Sequence, residues 1–219
     1  MRLNRLAGSL VLAGVFAASS ARADAPAWMH NLVNAALPAH DEKTSAVLLY
    51  SEDVLTVQNN GKLKHLERRA YKILRPEGSD YGVLRADMSS ETKVVSMHGW
   101  CIPAQGKDYE VKDKEAIEMA LPAVPGSELI TDVRAKVVKI PAADVGNIVG
   151  YEYEKEMRPM VLQDGWYFQG SYPTREEHYT LQLPAGWEYK AAWLNHGLWR
   201  PLSLRSDPVS VRRPRIGCS

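Results

Sequence analysis

Residues 133–153, which read VRAKVVKIPAADVGNIVGYEY, limit the possible folds of this chain more than any other stretch. Its first apolar run ends at Pro141, because proline has no N–H to donate to a neighbouring strand. Gly146 permits a turn, and a second apolar run begins at Ile148. The stretch therefore predicts a half-buried antiparallel hairpin rather than an active-site loop.

The second run also predicts which side chains share a face. Side chains alternate across a strand, so Tyr151 and Tyr153 lie on one face and Glu152 and Glu154 on the other. This alternation predicts one buried aromatic face and one solvated acidic face.

Strand-like runs fill most of the remaining chain. A hairpin with its tip at residues 59–62, reading NNGK, joins the first two of these runs. Turn residues separate the runs, which lie at 46–57, 63–74, 81–88, 93–102, 109–111, 161–172, 175–183 and 187–194. This spacing predicts an all-β domain, an antiparallel β-sandwich or open barrel.

Helical patterns are scarce. Residues 26–37 begin with a proline at a position suited to the first helical turn, and Trp28, Leu32 and Ala35 lie at helical spacing before Pro38. Residues 113–121 show a similar pattern for one or two turns at most. One short N-terminal helix is expected beside the strands.

The first 23 residues are typical of a secretory signal peptide. Arg2 and Arg5 precede an apolar run at 6–18, and an A-x-A cleavage pattern ends at Ala23. The mature protein is expected to begin at Asp24 and to reside in the periplasm or outside the cell. No later run is long and apolar enough to span a bilayer. Residues 24–197 are expected to form one β-sandwich domain.

Charge is distributed unevenly along the chain. Residues 24–197 hold 19 basic and 25 acidic residues, which leaves no basic surface for nucleic acid. Residues 198–219 hold five arginines, three prolines and no sustained periodicity. Three interpretations stay open for this segment: a basic arm for an anionic surface, a disordered tail without a partner, or a frame-shifted or prematurely ended sequence.

Two cysteines, Cys101 and Cys218, are the candidate nucleophiles. A cysteine nucleophile needs a setting that favours the thiolate and a histidine within reach. Residues 94–102 have a strand pattern, in which His98 points to the face opposite Cys101. We expect Cys101 to be a buried structural residue, and the contexts of the two cysteines do not favour a disulfide.

Other candidate chemistry is weaker still. Glu152 with Glu154, and Glu176 with Glu177, are carboxylate pairs of a kind that solvated strand faces commonly carry. No phosphate-binding loop and no G-x-S-x-G pattern occurs. The sequence predicts no catalytic residue and no cofactor.

The histidines do not predict a metal site. His65, His178 and His196 are widely spaced, and no two of them stand two or four residues apart beside a third ligand. His30 and His40 are expected to be solvated surface residues.

An aromatic cluster near the end of the domain has two interpretations. It could form a platform on which a sugar stacks, or it could belong to the core of the sandwich, and the alternation of the side chains favours the core. The residues concerned are Trp166, Tyr167, Phe168, Trp187, Tyr189 and Trp193.

Several segments together resemble a family of bacterial secreted domains. They are PAW at 26–28, NNGK at 59–62, RAYKILR at 69–75, PAQGK at 103–107, IPAADVG at 140–146, IVGYEY at 148–153, YFQGSYP at 167–173 and YTLQLPAGW at 179–187. The chain from about residue 26 to 197 is similar to the domain of unknown function that precedes transglutaminase-like domains. The family carries no established catalytic residue.

The resemblance implies a role beside an enzyme. In such proteins a papain-like Cys-His-Asp domain normally follows, whereas here the basic tail stands in its place. The first hypothesis is a non-catalytic extracytoplasmic domain, truncated before that partner, which helps to position a protein substrate. The alternative is a sandwich that binds a carbohydrate or peptide of the cell envelope. Self-association through an unpaired strand edge is a further expectation.

Overall fold

The computed structural model describes residues 24–121, 132–167, 170–190 and 209–212. The predicted signal peptide, Phe168, Trp193, His196 and Cys218 lie outside the described residues. The elements are α1 (Ala27–His30), β1 (Ala46–Val57), β2 (Leu63–Ile73), β3 (Val83–Met88), β4 (Thr92–Ile102), β5 (Tyr109–Lys112), β6 (Ile117–Ala120), β7 (Arg134–Lys139), β8 (Ile148–Met157), β9 (Glu177–Gln182) and β10 (Val209–Arg212). Short 3₁₀ segments span Pro76–Gly82 and Asp113–Glu115.

The strands form two sheets that share one core. The larger sheet has the order β10-β9-β1-β2-β8-β4-β5, and the smaller has the order β3-β7-β6. Buried side chains of both sheets, such as Leu84 and Val138 from the smaller and Met97 and Val149 from the larger, form one hydrophobic cluster. The prediction of an all-β sandwich is confirmed. Among the pairings of the described strands, that of β9 with β1 is parallel and so differs from the antiparallel arrangement that the sequence predicts.

The first hairpin forms as its turn residues predict. β1 and β2 pair antiparallel from Ala46 opposite Ile73 to Val57 opposite Leu63. Gly61, in the NNGK tip, has a φ of 77°, a value that glycine adopts without a steric penalty. The Gln58 N–H donates to the Lys62 carbonyl at 2.8 Å and closes the turn.

The predicted second hairpin is wrong. β7 and β8 both exist, but β7 pairs with β3 and β6 in the smaller sheet, whereas β8 pairs with β2 and β4 in the larger one. Residues 140–147 therefore form a corner that carries the chain from one sheet to the other. Strand propensity and a turn residue predict two strands with a bend between them, but they do not say whether the strands pair with each other.

The corner is held by backbone and side-chain hydrogen bonds. Gly146 has a φ of 88°, and its N–H donates to the Ile73 carbonyl at 2.9 Å. The buried Asn147 side chain accepts from the Ala104 N–H at 2.8 Å and donates to the Ala142 carbonyl at 2.9 Å. These bonds tie the corner to β2, to the residues after β4 and to itself.

Two predicted helices also differ from the structure. The N-terminal helix has only four residues and is followed by turns over residues 31–34. Residues 113–121 contain a 3₁₀ turn and the strand β6 instead of a helix, because β6 completes the smaller sheet beside β7. The described residues of the predicted strands at 161–172 and 187–194 show no extended strand.

The N-terminal segment covers the second face of the larger sheet. Met29 is fully buried there, in a cluster with Val47, Ala70, Trp100 and Ile148. The larger sheet therefore has apolar cover on both faces over part of its area, from the smaller sheet on one side and from α1 on the other.

The basic tail contains a strand that the sequence did not predict. β10 pairs antiparallel with β9, from Val209 opposite Leu181 to Arg212 opposite His178. One of the three interpretations of the tail, a segment disordered throughout, is therefore wrong for these four residues. Residues 198–208 and 213–219 lie outside the described residues. Sequence periodicity cannot reveal so short a strand, because four residues hold only two alternations.

Within the described part of the chain, no helix has the length and apolar character needed to cross a membrane.

Candidate functional site

Cys101 lies on β4 with its side chain in the core between the two sheets. It is fully buried, and its thiol donates to the Ala142 carbonyl at 3.2 Å. Burial, together with Asp144 and Asp108, raises the pKa of this thiol to about 11. The structure therefore places Cys101 where the thiolate is disfavoured.

His98 does not approach the Cys101 thiol. It lies on the opposite face of β4, where its ring stacks on Trp100 with 5.7 Å between the ring centroids. Its Nδ1 lies 3.6 Å from a carboxylate oxygen of Glu110. The predicted separation of the cysteine and the histidine on two faces is confirmed.

The acidic pairs on the strands form ion pairs. Arg68 on β2 bridges Glu52 of β1, at 2.8 Å, and Glu152 of β8, at 2.5 Å. The Lys64 ammonium contacts Glu154 at 2.8 Å. Glu152 and Glu154 thus lie on the face of β8 that is opposite to the face of Tyr151 and Tyr153, as the alternation predicts. They belong to a cross-strand ladder of charges.

The second acidic pair is divided between two environments. Glu176 contacts His178 at 2.6 Å and Arg175 at 3.1 Å. Glu177 is buried at the start of β9. Glu176 therefore lies among basic side chains, whereas Glu177 is buried. The two carboxylates do not point at one common site, as an acid and base pair would.

A buried polar network fills the other face of the same strands. Glu67 on β2 accepts hydrogen bonds from the Tyr151 hydroxyl, at 3.1 Å, and from the Tyr153 hydroxyl. The Arg69 guanidinium lies 3.0 Å from the same carboxylate, and one of its nitrogens donates to the Tyr172 hydroxyl at 3.3 Å. These contacts make Glu67 the centre of a buried polar cluster.

The network shifts the protonation of its members. Burial, followed by the nearby charge of Glu67, raises the pKa of Tyr153. Burial also raises the pKa of Asp53, against the lowering effect of its hydrogen bond with His65. Burial also raises the pKa of Tyr151. Burial opposes the charge on Arg69, yet Tyr151 and Glu67 raise its pKa. Both tyrosines therefore stay protonated and can donate to Glu67.

Asp53 and His65 extend this network toward solvent. His65 Nε2 lies 2.7 Å from Asp53 Oδ1, and the two side chains stand on the same face of the sheet as Glu67. One ligand atom from each of Asp53, His65 and Glu67 lies within 4.8 Å of the others. These residue types are metal ligands, and the described residues hold no other such group of three.

Sequence reasoning missed this trio. The spacing between histidines was the only signal considered for a metal site, whereas the trio has one histidine and two carboxylates. Asp53 also lies more than ten residues before the other two. The available signal was His65 and Glu67, which stand two residues apart on a predicted strand and so share a face. Asp53 joins them through the β1 and β2 register, which places it opposite Glu67.

The other histidines make separate contacts. His30 contacts Asp108 at 2.9 Å and is 46% exposed on its side chain, while His40 contacts the Pro38 carbonyl at 2.8 Å. These placements agree with the prediction that both are surface residues.

The aromatic residues near the end of the domain do not share one environment. Trp166 packs on Tyr179 with 5.2 Å between ring centroids, whereas Tyr167 is 84% exposed. Trp187 is 37% exposed and Tyr189 is half-buried. Since Trp166 packs within the domain, the described members do not form a continuous exposed platform.

Two stacked sheets around one core, with a buried polar network and a buried cysteine, define an all-β sandwich domain. The chain belongs to the family described as a domain of unknown function with solved structure, DUF3857, whose model matches residues 59–201. No match is found among the curated proteins.

A solved structure shares the fold. It is the crystal structure of a "putative protease" from Parabacteroides distasonis, with a TM-score of 0.55 and 13% sequence identity. The match covers 77% of this chain and 40% of the Parabacteroides chain, so this chain spans less than half the length of that protein. At this identity the match shows the fold alone.

Proposed function

We propose that this domain is a non-catalytic accessory domain that acts outside the cytoplasm and positions a protein substrate for a transglutaminase-like cysteine enzyme. The observation that carries the proposal is the state of Cys101, which is buried, bonded to a backbone carbonyl and shifted to a pKa of about 11. At pH 8 a thiol with that pKa is ionised in roughly one molecule in a thousand. Such a thiol is a poor nucleophile.

The outer face of the smaller sheet supports contact with a second domain. The β3, β6 and β7 pairing places Val83 and Ile117 on the side of this sheet that faces away from the core, together with Met119. All three side chains are exposed, Ile117 by 67%. Exposed apolar side chains on one face of a sheet, here on its two outer strands, are a feature of contact sites for other proteins.

The comparison with the Parabacteroides protein supports the same proposal. That protein is described as a "putative protease", and the shared fold accounts for only 40% of its chain. A fold that forms part of a longer protein of this kind is compatible with an accessory role beside a catalytic domain. The predicted signal peptide supports a location outside the cytoplasm.

The test measures turnover and thiol reactivity in the purified protein. We expect no incorporation of a labelled amine into protein and no peptide cleavage above background, with or without calcium, and the variant Cys101→Ala should behave in the same way. Iodoacetamide at pH 8 should label Cys101 at least about 100-fold more slowly in the native protein than in the guanidinium-unfolded protein, because the native thiolate is scarce.

Turnover that is lost in Cys101→Ala would overturn the non-catalytic assignment. Rapid labelling of the native Cys101, measured on the peptide that contains it, would contradict the structural argument independently.

A further inference from the structure

We propose that Asp53, His65 and Glu67 form a binding site for one divalent transition-metal ion of the zinc type. The proposal does not depend on the accessory role. It rests on the position of three potential ligands, on a buried carboxylate oxygen without a partner, and on neighbours that hold one ligand in place.

The pairing of β1 with β2 brings the three ligands together. Asp53 stands directly opposite Glu67, and His65 stands opposite Leu55. Residues two apart on a strand point to the same side, so all three side chains face the same volume. Their ligand atoms lie within 4.8 Å of one another, a spacing that a small adjustment of side chains brings to the separation found around a tetrahedral ion.

Asp53 supplies the second, independent observation. Its residue is 2% exposed, and one carboxylate oxygen, Oδ2, is buried without a hydrogen-bond partner among the described residues. The other oxygen, Oδ1, is hydrogen-bonded to His65 at 2.7 Å. A buried carboxylate oxygen without a partner is destabilising, and a bound cation is a partner of the required charge.

Glu67 is oriented by groups that do not have to move. The hydroxyls of Tyr151 and Tyr153 donate to its two oxygens, and the guanidinium of Arg69 lies 3.0 Å away. Hydrogen bonds of this kind fix a ligating carboxylate while leaving it a lone pair for a metal ion. Arg69 also offsets part of the negative charge of the two carboxylates.

The ligand types select the class of metal. An imidazole with two carboxylates suits zinc and related first-row ions, whereas calcium and magnesium prefer sites made only of oxygen atoms. The His65 side chain is 18% exposed, which leaves a route from solvent to the three ligands.

The experiment uses the whole protein, freed of metal with EDTA and then titrated with Zn²⁺ by isothermal calorimetry. We expect one equivalent to bind and to remain after dialysis, as measured by elemental analysis. The variant His65→Gln should weaken binding by about 100-fold or more, because one of three protein ligands is lost. The matched control is His30→Gln. His30 is also paired with an aspartate, Asp108, but this pair belongs to no group of three potential ligands among the described residues.

A zinc affinity that is the same in His65→Gln and in the original protein, or no retained zinc, would overturn the proposal. If His65→Gln does not fold, the unaltered protein decides the question. A crystal grown with Zn²⁺ should then show an anomalous-scattering peak between Asp53, His65 and Glu67, and zinc found only elsewhere on the protein rejects the site.

Discussion

At the scale of single residues, Gly146 shows how a backbone angle can matter more than space. Its φ of 88° lies in the region that L-residues avoid, yet a Cβ placed there would come no nearer than 3.9 Å to Ala104. The cost of a larger residue at this position is therefore conformational and not a clash.

Replacing Gly146 with valine should lower the free energy of unfolding by about 1 to 3 kcal/mol, since a β-branched residue is strained at this angle. Chemical denaturation measures the change. The variant Gly146→Asn is the matched control, because asparagine tolerates this region better, and it should lose about 1 kcal/mol less than the valine variant. Equal losses in the two variants would show that crowding, and not the backbone angle, sets the cost.

At the scale of elements, α1 shows how four helical residues can act as part of the core. Met29 projects onto the larger sheet where β2 presents Ala70 and β8 presents Gly150. A Cβ built on Gly150 would lie 2.7 Å from the Met29 methyl carbon and 2.9 Å from the Arg69 carbonyl oxygen. Small residues on two adjacent strands thus make a hollow that Met29 fills.

Met29→Ala should therefore lower the free energy of unfolding by about 2 to 5 kcal/mol, as expected when a buried large side chain is removed and leaves a cavity. The control Val33→Ala changes an exposed side chain of the same segment and should stay within about 0.5 kcal/mol. Thermal and chemical denaturation of both variants measure the difference. A loss below about 1 kcal/mol in Met29→Ala would mean that α1 does not contribute to the core.

At the scale of the whole molecule, β10 determines which strand ends the larger sheet. With β10 in place, β9 has neighbours on both sides, β1 and β10. Without it, β9 would present unpaired backbone groups, which are a template for pairing with another chain.

A variant that lacks residues 209–219 should be less stable by about 1 to 3 kcal/mol and should self-associate as its concentration rises, because several strand hydrogen bonds are lost and an edge is exposed. The matched control lacks only residues 213–219 and keeps β10. Light scattering and denaturation compare the two. If both variants behave like the full chain, β10 does not protect the sheet.

Local sequence patterns are sufficient to predict several of the strands and one turn of this protein. β1, β2, β4 and β5 begin and end within a residue or two of their predicted limits. The NNGK turn follows from the backbone preferences of its residues. Tyr151 and Glu152 lie on opposite faces because side chains alternate along a strand. These properties depend on residues that are close together in the chain, so the amino-acid sequence is sufficient to predict them.

Apart from the first hairpin, the pairing of the strands and their distribution between the two sheets depend on long-range packing. β7 and β8 are adjacent in sequence, but they lie in separate sheets whose buried side chains, such as Val138 and Val149, join one hydrophobic cluster. An isolated two-stranded hairpin is marginally stable at best. Residues 117–120 form a strand rather than a helix because β7 offers them a partner. The predicted NNGK hairpin brings β1 beside β2, but only the tertiary structure shows the register and the burial that place ligand atoms of Asp53, His65 and Glu67 within 4.8 Å of one another.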